Sequence, residues 1–103
     1  MENKDLTKIF KALSDKNRLK ILSSIYEEEC KCRQNNRSDS SPTCIKDLSK
    51  LLYITVPTIS YHIKELINAD LITTEKNGRW VHCRINQKTL QKVCEYLKIF
   101  FNR

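Results

Sequence analysis

Five cysteines, at positions 30, 32, 44, 83 and 94, are the side chains of this sequence with the widest chemical reach. An odd number of thiols, in a chain whose first residues Met1-Glu2-Asn3-Lys4-Asp5 carry no export signal, does not describe a disulfide scaffold. Ligation or redox chemistry is the better reading. Cys30 and Cys32 form a C-x-C unit, and Cys44 follows after a stretch with no apolar periodicity. Residues 31–43 therefore read as a flexible loop, long for a connection between helices, that can fold the C-x-C unit back toward Cys44. Three thiolates suit a soft ion that accepts trigonal coordination, such as arsenite, lead or cadmium, whereas a closed zinc site wants a fourth donor. A helix N-terminus also acidifies a thiol, and an oxidation or persulfide sensor in which Cys44 pairs with Cys30 or Cys32 is the alternative.

The elements around these thiols have a distinct order. Ile45, Leu48, Leu51 and Leu52 recur at helical spacing and predict a helix of about eight residues, too short to stand alone. After Tyr53 and Ile54, Thr55 can cap a second helix, with Pro57 in a first turn where backbone N–H groups have no internal partner. Ile59, Ile63, Leu66 and Ile67 line one face of it. Thr58, Tyr61, Lys64, Glu65 and Asn68 fall on the opposite face, with Ser60 and His62 on the flanks. Beyond Asp70 the period changes to two, and Leu71 to Glu75 and Trp80 to Ile85 flank Asn77-Gly78, a strong hairpin signal. In the return strand Val81, Cys83 and Ile85 share the inward face, while Trp80, His82 and Arg84 share the other. Residues 44–68 thus predict a helix-turn-helix and residues 71–85 a β-wing, an arrangement that docks on double-stranded DNA.

Charge placement agrees with that expectation. Of a net +7, residues 76–103 hold seven basic residues (76, 79, 84, 88, 92, 98 and 103) against Glu95 alone, net +6, which leaves +1 for the first 75. The excess begins at the turn of the wing, where phosphate contact is expected from Lys76, Asn77 and Arg79.

Upstream, Leu6, Ile9, Phe10 and Leu13 predict a short amphipathic helix ending near Ser14. Asp15 caps a second, in which Leu19, Leu22, Ile25 and Tyr26 face inward and Glu27-Glu28-Glu29 close the pattern. Leu90, Val93, Cys94, Leu97, Phe100 and Phe101 line a last helix. The helices over 5–13 and 88–101 carry more apolar surface than a 103-residue chain easily hides, which predicts a homodimer through them. One subunit makes few phosphate contacts, so two copies on DNA are also what affinity requires. Residues 1–103 form one domain of mainly α class with a small β-hairpin, about five helices plus a two-stranded wing. No apolar run approaches the roughly 20 residues of a membrane span, and a cytoplasmic protein without membrane partners is expected.

Four segments, Phe10-Lys11-Ala12-Leu13-Ser14-Asp15, Asn17-Arg18-Leu19-Lys20-Ile21-Leu22, Pro57-Thr58-Ile59-Ser60-Tyr61-His62-Ile63-Lys64 and Gly78-Arg79-Trp80-Val81, resemble the ArsR/SmtB family of bacterial repressors. The resemblance covers nearly the whole chain outside 31–43. It implies a homodimeric winged-helix protein that binds operator DNA and releases it when a metal ion, a metalloid or a thiol-directed signal arrives. It also implies that the helix bearing Ser60, Tyr61 and His62 enters the major groove while the Lys76 to Arg79 turn touches the neighbouring backbone. Cys44 and Asp47 match a Cys and an acidic residue of the family's metal site, with Lys46 where a second cysteine is frequent. Cys30 and Cys32 would replace that second cysteine. The cofactor implied is a thiophilic ion such as arsenite, cadmium, lead or zinc. The inward Cys83 and the stripe residue Cys94 read as packed thiols, and His82 as an exposed side chain.

An enzyme is not expected, because no glycine-rich phosphate loop, paired acid and base or Cys/His nucleophile arrangement is present and Gly78 is the single glycine. A metal-buffering or thiol-relay protein that binds no DNA would leave Ser60, Tyr61 and the basic wing without a role.

Overall fold

Helix-forming stretches bounded by capping residues account for most of the chain. The structure, a computed structural model, describes residues 3–34, 43–78 and 80–101. Helix α1 (Asn3–Leu13) ends as the Ser14 hydroxyl donates to the Lys11 carbonyl at 2.6 Å. Asp15 then opens α2 (Lys16–Gln34) as expected, its Oδ1 accepting the backbone N–H groups of Asn17 at 2.8 Å and Arg18 at 3.2 Å.

Helix α2 departs from the sequence expectation in two ways. It runs to Gln34, so residues 31–34 are helix where a flexible loop was expected. Apolar periodicity marks a buried face rather than a helix as such. This stretch has no Gly or Pro, and it places Glu27 and Glu29 four residues before Lys31 and Arg33, a spacing that supports an exposed helix. Lys31 and Arg33 also put positive charge in the last turn, where the helix dipole favours it, so the acidic run does not close the helix. The rest of the expected loop, 35–42, lies outside the described residues. The buried stripe differs too: Ile21 and Ile25 are fully buried, whereas Leu19 and Tyr26 are about half exposed.

A two-residue strand, β1 (Thr43–Cys44), leads directly into α3 (Ile45–Leu52). Tyr53 ends α3 in the left-handed region, at φ 56°, and a backbone bond from Ile54 to Ser49 together with the Ser49 hydroxyl on the Ile54 carbonyl closes the turn. Helix α4 (Val56–Asn68) begins after Thr55, with Pro57 in its first turn. Thr55 holds the N-cap position but spends its hydroxyl on Thr58 Oγ1 at 3.0 Å instead of a backbone N–H. At the other end Asp70, at φ 59°, lets Leu71 N–H reach the Leu66 carbonyl and Asp70 N–H the Ile67 carbonyl. That pair of bonds is a Schellman motif without glycine.

Strands β2 (Ile72–Asn77) and β3 (Trp80–Ile85) form the antiparallel hairpin, and α5 (Gln87–Lys98) follows. The sheet has three strands in the order β1-β3-β2, one more than expected, because Thr43 and Cys44 pair with Cys83 and His82. Asn77 is opposite Trp80, so the turn sits one residue later than expected, with Gly78 at its first position and φ +66°. Glycine at that position is the type I′ or II′ preference.

The core joins Ile9 of α1, Ile21 and Ile25 of α2, Leu48 of α3, Ile59 and Leu66 of α4, and Leu71, Ile72 and Cys83 around the sheet, all fully buried or within 2 % of it. This packing seats α4 against the body with its outer face free. No helix among the described residues is long and apolar enough to cross a membrane.

Candidate nucleic-acid interface and thiol site

The first three turns of α4 carry the polar side chains on which a DNA reader depends. The apolar stripe of Ile59, Ile63 and Leu66 is pinned in the core, which aims Thr58, Ser60, Tyr61 and Lys64 outward, and all four are exposed. Tyr61 is 56 % exposed, a large aromatic donor and acceptor held away from the body. The turn from α3 takes only Tyr53, Ile54 and Thr55, as a helix-turn-helix needs. Lys76 is exposed near the end of β2 beside Gly78; the Asn77 side chain and Arg79, both expected at the DNA, lie outside the described residues.

His62 is the exception. Expected among the DNA contacts, it is buried to 6 % exposure, and its Nδ1 accepts a bond from Arg18 Nε at 3.2 Å. A flank position on this helix turns inward because α2 packs beside it, so His62 does not belong to the outer face. Arg18 is the residue that sequence reasoning missed. It sits seven residues before Ile25 on the buried stripe of α2, and a cation in such a stripe calls for buried acceptors. Its Nη1 also donates to the Ala12 carbonyl at 3.3 Å. In the same turn, the backbone N–H of Arg18 and, less strongly, that of Asn17, with the nearby Arg18 charge, hold the Asp15 carboxyl below its usual 3.8 despite partial desolvation.

The thiols are divided. Cys44 is the N-cap residue of α3, buried, with no side-chain capping bond. Asp47 lies one turn on and is exposed. Cys83 is fully buried on β3, as expected of an inward residue, and burial pushes its thiol up to about 12, with Cys44 adding to the rise. Cys94, expected to pack, is exposed instead, because α5 buries Thr89 and Val93 and turns position 94 outward. His82 is half-buried. Cys30 and Cys32 belong to the last turns of α2, not to a loop, and their side chains lie outside what the structure describes. Positions two apart in a helix are about 200° apart around it, so both cysteines reach one ion only if that end of α2 unwinds. Among the described residues no three His, Cys, Asp or Glu side chains converge as a metal site.

Residues 38–74, from before β1 through α3 and α4 into β2, match the family model described as "Bacterial regulatory protein, arsR family". The chain is 33 % identical over 100 residues to an arsenical resistance operon repressor of Staphylococcus xylosus, covering 96 % of this chain and 83 % of that one. It belongs to the arsR family. A second relative, an arsenical resistance operon repressor of Bacillus subtilis, is 37 % identical over 79 residues, 77 % of this chain and 64 % of that repressor. The crystal structure of another ArsR family transcriptional regulator superposes with a TM-score of 0.77 at 24 % identity, covering 99 % of this chain and 92 % of that one. That likeness establishes the fold, a winged helix-turn-helix, as the sequence pattern predicts.

Proposed function

We propose that this arsR-family chain is a homodimeric, DNA-binding transcriptional repressor whose hold on operator DNA is loosened when a thiophilic metal or metalloid ion binds at Cys44. The observation that carries the DNA half is the outer face of α4, where Thr58, Ser60, Tyr61 and Lys64 are all exposed on a helix whose opposite face is locked into the core. Such a face fits the major groove and hydrogen-bonds to base edges, while Lys76, Asn77 and Arg79 at the wing hold the neighbouring phosphates. Phe10, Leu97, Ile99, Phe100 and Phe101 are exposed, and apolar groups of that number on α1 and the chain end favour a second copy. Two copies also put two reading helices on one duplex.

For the signal, Cys44 is the natural anchor, with Asp47 one turn away and Cys30 and Cys32 contributed by the end of α2 as it unwinds to bring both to one ion. Soft thiolates favour arsenite, cadmium or lead, and zinc would use Asp47 as its fourth donor. The arsenical repressors among the relatives support this chemistry. A peroxide sensor at Cys44 is disfavoured by the burial of that thiol. Cys44 both opens α3 and pairs with β3, so an ion that draws on it acts on the helix bracing α4 and on the wing together.

Substitution at the DNA face tests the reading on a duplex selected from a random-sequence pool by the wild-type protein. Tyr61→Ala is expected to weaken binding of the selected duplex by about tenfold or more. Lys76→Ala is expected to weaken all duplexes alike and to lower the slope of log affinity against log salt by about 1. Unchanged affinity in both variants would remove the DNA-binding reading.

A further inference from the structure

Arg18 lies on α2, outside the helix-turn-helix, yet its part-buried side chain reaches Tyr61 on the outer face of α4. Its Nη1 donates to the Ala12 carbonyl at 3.3 Å, at the end of α1, where a helix leaves carbonyls without internal partners. Its Nε donates to His62 Nδ1 at 3.2 Å. Its Cζ is 6.0 Å from the centre of the Tyr61 ring, within reach of a cation–π attraction, and the Tyr61 and His62 rings meet edge to face at 5.5 Å and 62°. The Arg18 backbone is itself fixed by the Asp15 cap. One rigid guanidinium therefore joins the Ala12 carbonyl near the end of α1, the first turn of α2 and two successive residues of α4.

Satisfying a buried histidine needs only the His62 bond. The contact with Tyr61 goes further, because that ring is more than half exposed and Arg18 adds a second restraint on its rotamer beside the edge of the His62 ring. We infer that Arg18 is a positioning residue for sequence reading: it sets the Tyr61 ring and the rotation of α4 about its axis, so discrimination between DNA sequences depends on a side chain outside the helix-turn-helix. This rests on the reading of α4 as the DNA-contacting helix. Because the same guanidinium holds α1, a helix proposed to take part in the dimer, it also gives the dimer contact a direct mechanical path to the reading face.

Lysine keeps the charge but not the planar fork that spans two acceptors and lies against a ring, so Arg18→Lys is the informative change. Binding to the selected duplex and to a scrambled duplex of the same length is measured for wild type, Arg18→Lys, Tyr61→Ala and the double variant, with salt slopes for wild type and Arg18→Gln and melting curves for all. Arg18→Lys is expected to reduce the ratio of selected to scrambled affinity by about tenfold, in the range of one charge-assisted hydrogen bond. In the Tyr61→Ala background the same change should lower the ratio by less, the remainder reporting the rotation of α4. An undiminished effect there would overturn the role of Arg18 in setting Tyr61. The salt slope of Arg18→Gln should equal that of wild type. A purely structural role would instead lower the melting midpoint and both affinities in parallel, leaving the ratio intact, and would overturn the inference. So would a salt slope reduced by about 1 in Arg18→Gln, which marks a direct phosphate contact. If the wild type fails to distinguish the two duplexes, the DNA reading itself falls; if it does distinguish them and Arg18→Lys does so equally, only the role of Arg18 falls.

Discussion

Cys44 is the pairing partner of His82 across β1 and β3. The residue that opens α3 is thereby stitched to the strand that returns from the wing tip, so the helix that braces α4 and the wing share one attachment. A ligand at Cys44 has no need of a long relay.

Amide hydrogen exchange makes that connection measurable. Adding cadmium to the reduced protein is expected to change protection in α3 and in β3 around His82 and Cys83 together, with α5 little affected. Changes confined to the end of α2 would show that Cys44 is not the point of action.

The wing turn depends on a backbone conformation rather than on space. Gly78 is at φ +66°, and nothing lies within 4 Å of where a Cβ would be. Gly78→Ala should therefore cost about 1 kcal/mol from the left-handed backbone alone, and Gly78→Asn less, since asparagine tolerates that region. Chemical denaturation reads both; an alanine variant as stable as wild type would contradict the turn geometry.

The thiols should differ sharply in reactivity. With its thiol pushed up to about 12 by burial, Cys83 carries far less thiolate near neutral pH than a cysteine at the ordinary value. Iodoacetamide at pH 8 should modify Cys94, which is exposed, well before Cys83, as peptide mass mapping will show. The same shift has a sign for stability. The folded state keeps a proton that the unfolded chain gives up above pH 9, so this contribution is fully present below pH 9 and declines as pH rises toward 12. The alkaline fall in melting midpoint should be shallower in Cys83→Ala than in wild type, and equal slopes would refute the assignment.

What was legible in the sequence is what local periodicity encodes. The helices α3 and α4, most of their apolar stripes, the Asp15 cap and the hairpin each arise from residues within a few positions of one another and appear in the fold. Leu51 and Ile67 of the expected stripes are exposed, however, and Leu71 and Ile72 at the entry to β2 are buried in succession instead of alternating. The turn was displaced by one because Asn77-Gly78 and a glycine in the first turn position are both good hairpin chemistry, and only strand pairing chooses between them. β1 escaped notice because two residues have no period, and the end of α2 because its sequence has no apolar periodicity to announce it. The inward turn of His62 was out of reach for another reason: its partner Arg18 is 44 positions away, and only packing of α2 beside α4 brings them together. The thiols divide along the same line. The burial of Cys83 followed from strand alternation, while the exposure of Cys94 depended on which face α5 presents to the body.

The central claim is that thiol ligation at Cys44 controls release of DNA, and a titration of the reduced protein on its selected duplex tests it most directly. Arsenite, cadmium, lead and zinc are added in turn to the wild-type complex and to Cys44→Ser, with a gel-shift or anisotropy readout. Release of the duplex from wild type by at least one thiophilic ion, with Cys44→Ser bound throughout, is the predicted result. Release from neither protein, or equal release from both, would contradict the account.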